Sequence, residues 1–153
     1  MSAQPLAAAE LAARVRRDRP QPELTAAIAA CDCAVAVRAG LYLLNGDWER
    51  AHEAAQALDD ALGAHWHALV HRHEPDPENS KYWLRQVGRS PIYPRLAEAA
   101  RAAGHGQDVA PRGTWDAARF ADCFADARHD AWTRPLDALE LRALLEHCLA
   151  LPA

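Results

Sequence analysis

Hydrophobic positions along this chain recur at helical spacing, and proline or glycine closes most of the periodic runs. Leu11 and Val15 share one side of a first segment over 5–17, with Pro5 suited to its opening turn. Arg19-Pro20-Gln21-Pro22 then breaks the chain. Pro22 can start a new helix, and Glu23 suits the positive end of its dipole. From there Leu24, Ile28, Cys31, Val35 and Tyr42 make one stripe, with Val37, Leu41 and Leu44 on the opposite side. A helix that is apolar on two faces is enclosed by others, so the pattern predicts a central helix over 22–44. Asn45-Gly46-Asp47 ends it: Gly46 can take the left-handed conformation, and Asp47 can cap a following helix over 48–58. So short a join makes these two helices antiparallel neighbours.

A further helix over 62–73 runs into the Glu74-Pro75-Asp76-Pro77 corner, where Asp76 can cap and Pro77 can open the helix over 77–87. Pro94 starts another to about 103. Residues 104–113, G-H-G-Q-D-V-A-P-R-G, are rich in turn formers and read as a mobile loop. Thr114 can cap a helix to about 128, striped by Ala117, Phe120, Phe124 and Ala127. The last helix reads from Pro135 to Ala150, with leucines on more than one face. The prediction is an all-α single domain over 1–153, about seven helices packed around 22–44 and the C-terminal helix, with 1–20 as a peripheral N-terminal helix.

Composition agrees with this class. Alanine and leucine, the strongest helix formers, dominate, and β-branched residues are scarce. A chain of 153 residues fits one domain. At that size it can bury roughly 70% of its unfolded surface without disulfide or metal. The net charge is −4, and of seventeen basic residues only Lys81 is a lysine. The basic excess of a nucleic-acid binder is absent, and Arg14, Arg16, Arg17 and Arg19 read as a solvated helix end. No apolar run is long enough to span a membrane, and Glu10 interrupts any secretory-type apolar segment. Cys31, Cys33, Cys123 and Cys148 form no C-x-x-C pair and read as small core residues in a reducing cytoplasm. The expected partner is a small molecule or a protein, not nucleic acid or membrane.

Chemistry concentrates between Trp66 and Trp83, W-H-A-L-V-H-R-H-E-P-D-P-E-N-S-K-Y-W. On a helical wheel Leu62, Trp66, Leu69 and Val70 make one face, with His73 in its middle. His67, His71 and Glu74 lie on the other at i, i+4 and i+7. Imidazoles one turn apart, with a ligand from elsewhere, suit zinc or iron. If the Asp59–Ala61 turn folds the preceding helix back, His52 lands beside that pair. Asn79 and Tyr82 would close the site. A metal-free site using His67 or His71 as proton carrier is a second reading. In the third, His65 is a solvated edge residue, His73 a satisfied core residue, and His67 and His71 bond Glu74 or the Asp76 corner. H-E-x-x-H is absent, because Ala68 follows His67.

Two resemblances bear on these segments. L-Y-L-L-N-G-D-W-E-R-A-H-E-A-A-Q-A-L resembles the inner turn of a tetratricopeptide repeat, over about half of one repeat, and implies a helical hairpin. W-H-A-x-x-H-R-x-E-P-D-x-x-N-x-x-Y-W, followed by Val87-Gly88, resembles a family of uncharacterised bacterial and fungal proteins over roughly residues 41–95. That resemblance implies Trp66, His67, His71, Arg72, Glu74, Asp76, Asn79, Tyr82 and Trp83 as site residues, and implies no reaction.

Two functions follow as expectations. The first is a helical binding module with a groove lined by Trp48, Trp66, Arg72, Asn79, Tyr82 and Trp83 around the histidine face. The second is a metal-dependent, hydrolase-like enzyme built on His52, His67, His71 and Glu74. The absence of a nucleophile motif, phosphate loop or dinucleotide fingerprint favours the module.

Overall fold

Runs of alanine and leucine with few β-branched interruptions have little alternative to helix, and the computed structural model, which describes residues 5–152, is helical throughout. Positions 1–4 and 153 of the expected domain lie outside the described residues. Ten α-helices occur among the described residues, with no strand: α1 (Ala8–Arg14), α2 (Pro22–Ala30), α3 (Val35–Leu44), α4 (Trp48–Gln56), α5 (Ala61–His73), α6 (Pro77–Val87), α7 (Tyr93–Ala102), α8 (Gly106–Val109), α9 (Ala117–Ala125) and α10 (Asp130–Ala150). A 3₁₀ turn over Ala127–His129 leads into α10. Helices α3 to α6 pack each on the next, and α10 lies across α3, α7 and α9. One contiguous apolar core draws on every α-helix of the chain. The N-terminal segment is not peripheral to it, because Leu11 and Val15 are wholly buried.

The expected central helix over 22–44 is two helices, and this break adds to the expected count of about seven. Backbone turns extended at Cys31 (φ −67°, ψ 129°) and is still extended at Ala34 (φ −59°, ψ 148°). No proline or glycine marks the break. The Cys31 carbonyl accepts instead from Arg38 Nη2 at 2.8 Å, a bond from the next helix that replaces the lost helical donor. Neither cysteine there is helical. Cys33 is half-buried, and burial together with the neighbouring Cys31 thiol pushes its pKa to about 11. Splitting the segment lets α3 turn independently of α2, and Val37 and all residues from Ala39 to Leu44 are buried.

Three other boundaries differ. Residues 104–113, expected as a mobile loop, contain α8, because Val109 is drawn fully into the core. Asp116, not Thr114, caps α9 by accepting from the Arg119 N–H at 3.1 Å. Helix α10 starts at Asp130 and runs through Pro135, which sits in the second turn and removes one backbone bond. Asp47 precedes α4 as expected, but its carboxylate accepts from Thr25 Oγ1 and Asn45 Nδ2, each at 2.9 Å, rather than from the helix N-terminus.

Helix α5 is held between two partners. Against α3, Trp66 packs its ring so close to Gly40 that a Cβ there would lie 2.6 Å from Trp66 Cζ2. Against α10, α5 turns Arg72 onto two buried carboxylates. Arg72 Nη2 donates to Asp137 Oδ1 at 2.7 Å, and Nη1 to Glu140 Oε1 at 3.0 Å. His73 Nε2 lies 2.7 Å from Asp137 Oδ1 and 3.0 Å from Arg17 Nη1, and His65 Nε2–H donates to Glu140 Oε2 at 2.9 Å. Arg17 Nη1 completes the set on Asp137 Oδ2 at 2.8 Å. Every carboxylate oxygen is satisfied, and two guanidinium charges balance two carboxylates. Burial lowers the His73 pKa, consistent with a neutral ring. Burial alone would raise both acids, but the Arg72 charge and the histidine bonds outweigh it and hold Asp137 and Glu140 below the usual carboxylate range.

Two substitutions test this packing. Gly40→Val drives a side chain into Trp66 and is expected to lower stability by about 1–3 kcal/mol in urea unfolding. Arg72→Ala leaves two buried carboxylates without their cation, and the expected loss is about 3–5 kcal/mol, or failure to fold. An Arg72→Ala protein as stable as the parent would show that the network contributes nothing to holding α5.

Candidate functional site

Because Arg72, His73 and His65 face α10, the opposite side of α5 carries His67 and His71 toward α4 and α6. Three local features set this up. Asp60 caps α5 by accepting from the Gly63 N–H at 2.9 Å. Gly63 lets the end of α4 approach, since a Cβ there would lie 2.5 Å from Leu58 Cβ. Ser80 Oγ donates to the Ala68 carbonyl at 2.7 Å, pinning α6 beside the same face.

The short α4–α5 turn brings His52 onto the pair. Its ring centroid lies 4.4 Å from that of His67 and 5.5 Å from that of His71, while the His67 and His71 rings stack at 4.8 Å. One ring nitrogen from each of the three lies within 4.8 Å of the others. Two of the rings, His67 and His71, are buried.

Hydrogen bonding divides the three. His71 Nδ1–H donates to Glu74 Oε2 at 2.8 Å, and its Nε2 has no hydrogen-bond partner among the described residues. Among the described residues, His52 and His67 have no hydrogen-bond partner. His67 instead stacks on Trp83, centroids 3.9 Å apart and planes 15° apart. Burial, then the nearby His52 and His71, lower its pKa from 6.5 to about 4. The ring is therefore neutral at pH 7, with a lone pair available.

A cleft of about 370 Å³ opens beside this group, walled by Tyr82 and Trp83 from α6 and by Asp59 and Asp60 from the α4–α5 turn, with His67 on its surface. Tyr82 is half-exposed at its rim and stands edge-on to Trp83.

The other residues singled out from sequence lie elsewhere. Glu74 is 40% exposed and reaches His71 rather than joining the three nitrogens, because α5 ends there and Glu74 is its C-cap. Trp66 is core, and Arg72 is spent on Asp137 and Glu140. Trp48 stacks on His73 at 5.2 Å, on the network side of α5. Asn79 is exposed on the first turn of α6, donating its backbone N–H to Asp76 at 3.1 Å. His65, expected at a solvated edge, is 1% exposed and bonded to Glu140. The partners Asp137 and Glu140 were missed, although two acids at i, i+3 in a leucine-rich helix were the available signal.

The pH dependence has a definite sign. His67 binds its proton less readily folded than unfolded, so its contribution to stability is complete above about pH 6.5 and is lost as pH falls toward about 4. Metal-free protein should therefore weaken through that window before the carboxylates titrate. His67→Gln should flatten that part of a urea-unfolding profile. A parent profile that is already flat between these values would contradict the neutral assignment.

Comparison with protein-family models, with curated proteins and with solved structures finds no match for this chain.

Proposed function

We propose that this chain is a helical binding domain that holds one divalent transition-metal ion on His52, His67 and His71 and offers it to a small ligand in the cleft beside Tyr82 and Trp83. The observation that carries this reading is the convergence of three ring nitrogens within 4.8 Å, two of the rings lacking any hydrogen-bond partner among the described residues. Imidazole nitrogens that converge without hydrogen-bond partners have lone pairs to give to a cation. Zinc or iron is the ion that such an imidazole set suits.

The Glu74 carboxylate supports the same reading. A carboxylate on the far nitrogen of a ligand histidine orients the ring and raises its basicity. Three protein ligands leave a coordination position for water or a ligand oxygen, the pattern of catalytic rather than structural zinc. That vacancy favours a second reading, a metal-dependent hydrolase. The binding role ranks first because the sequence carries no nucleophile motif, phosphate loop or dinucleotide fingerprint.

Elemental analysis of untagged protein, with zinc titration after chelator treatment, tests the proposal. The expected result is about one equivalent of metal, lost in His67→Ala/His71→Ala, and affinity about 10–100-fold weaker in Glu74→Gln. Stoichiometric metal retained by the double variant, or no zinc binding by the parent, would overturn it.

A further inference from the structure

The strongest feature outside the histidine cleft is a second concavity, about 560 Å³, where the α6–α7 link meets the segment leading into α9. It shares no lining residue with the first cleft. Its charge runs against the chain as a whole. On a protein of net charge −4, Arg89, Arg112 and Arg119 all line this one hollow, with Asp116 the only acid among its lining residues.

The acid is already engaged. Asp116 accepts from the Arg119 backbone N–H at 3.1 Å and lies 3.6 Å from the Arg119 guanidinium. Arg89 and Arg112 are exposed and have no ion-pair or hydrogen-bond partner among the described residues. Behind them stand Trp115, 5% exposed, and Tyr93. The Trp115 indole nitrogen is buried with no acceptor among the described residues. Guanidinium can only donate. A hollow lined by three guanidiniums, two of them unpaired among the described residues, lacks an acceptor with several oxygens.

The geometry points to a phosphate-binding site in this concavity, with Arg89 and Arg112 as its principal ligands and Trp115 in its wall. Guanidinium forks match the oxygens of a phosphate in pairs, and an aromatic wall gives an attached organic group a surface to lie on. The group recognised is the phosphate dianion, free or carried on a small ester. The site does not depend on the histidine centre and stands or falls separately from it.

The test uses the full chain, treated with chelator so that no bound metal can hold the anion. Inorganic phosphate and phenyl phosphate are titrated separately while the tryptophan indole N–H resonances are followed by NMR. The expected result is a saturable shift of the Trp115 resonance, with affinity at least about tenfold weaker in Arg89→Ala/Arg112→Ala. Both side chains are exposed, so the variant should unfold at the parent's urea midpoint. Tighter binding of phenyl phosphate identifies an ester as the ligand; equal binding identifies free phosphate. No saturable shift, a shift unchanged in the double variant, or binding lost in His67→Ala/His71→Ala instead would each overturn the assignment.

Discussion

The Arg72 guanidinium, enclosed between Asp137 and Glu140, fixes which way α5 faces. A buried charge tolerates little rotation, because losing either carboxylate leaves ions stranded out of water. Arg72, His73 and His65 all reach acids on α10, at positions spaced so that one side of α5 is committed along most of its length. Trp66, wedged over Gly40, commits a second side to α3. What remains turns toward α4 and α6, and that remainder carries His67 and His71. The histidine centre is thus a consequence of how the ionic interior orients one helix.

The two polar groups on α5 differ in a way that matters for chemistry. In the interior cluster, opposite charges balance and all carboxylate oxygens have donors, so nothing is left to react. On the other face three imidazoles share a space with no anion among them. Only His71 has a carboxylate, and that lies on its outward nitrogen. The interior cluster is thus structural, whereas the three converging ring nitrogens are what the proposed metal site rests on.

The helical class and most helix positions were legible in the sequence, because they rest on local periodicity and on prolines and glycines. The misreadings share a cause. The break after Ala30 depends on Arg38 reaching the Cys31 carbonyl, and α8 depends on Val109 finding the core; neither is a local signal. Within the site, the His67–His71 pair was readable from its spacing, and His52 from the shortness of one turn. Glu74 was placed a step too far inward because a wheel continues where the real helix ends. Trp66 and Arg72 stand in the same stretch as the histidines but point away from them, since a stretch of helix sends side chains to every side. The acids that meet His65 and Arg72 lie 75 and 68 residues further along the chain, beyond any local pattern.

X-ray absorption fine structure at the zinc edge of the zinc-loaded protein reads the coordination shell itself. The account predicts three imidazole nitrogens and one oxygen at about 2.0 Å, with no sulfur. A shell containing sulfur, or one in which oxygens outnumber imidazoles, would contradict it.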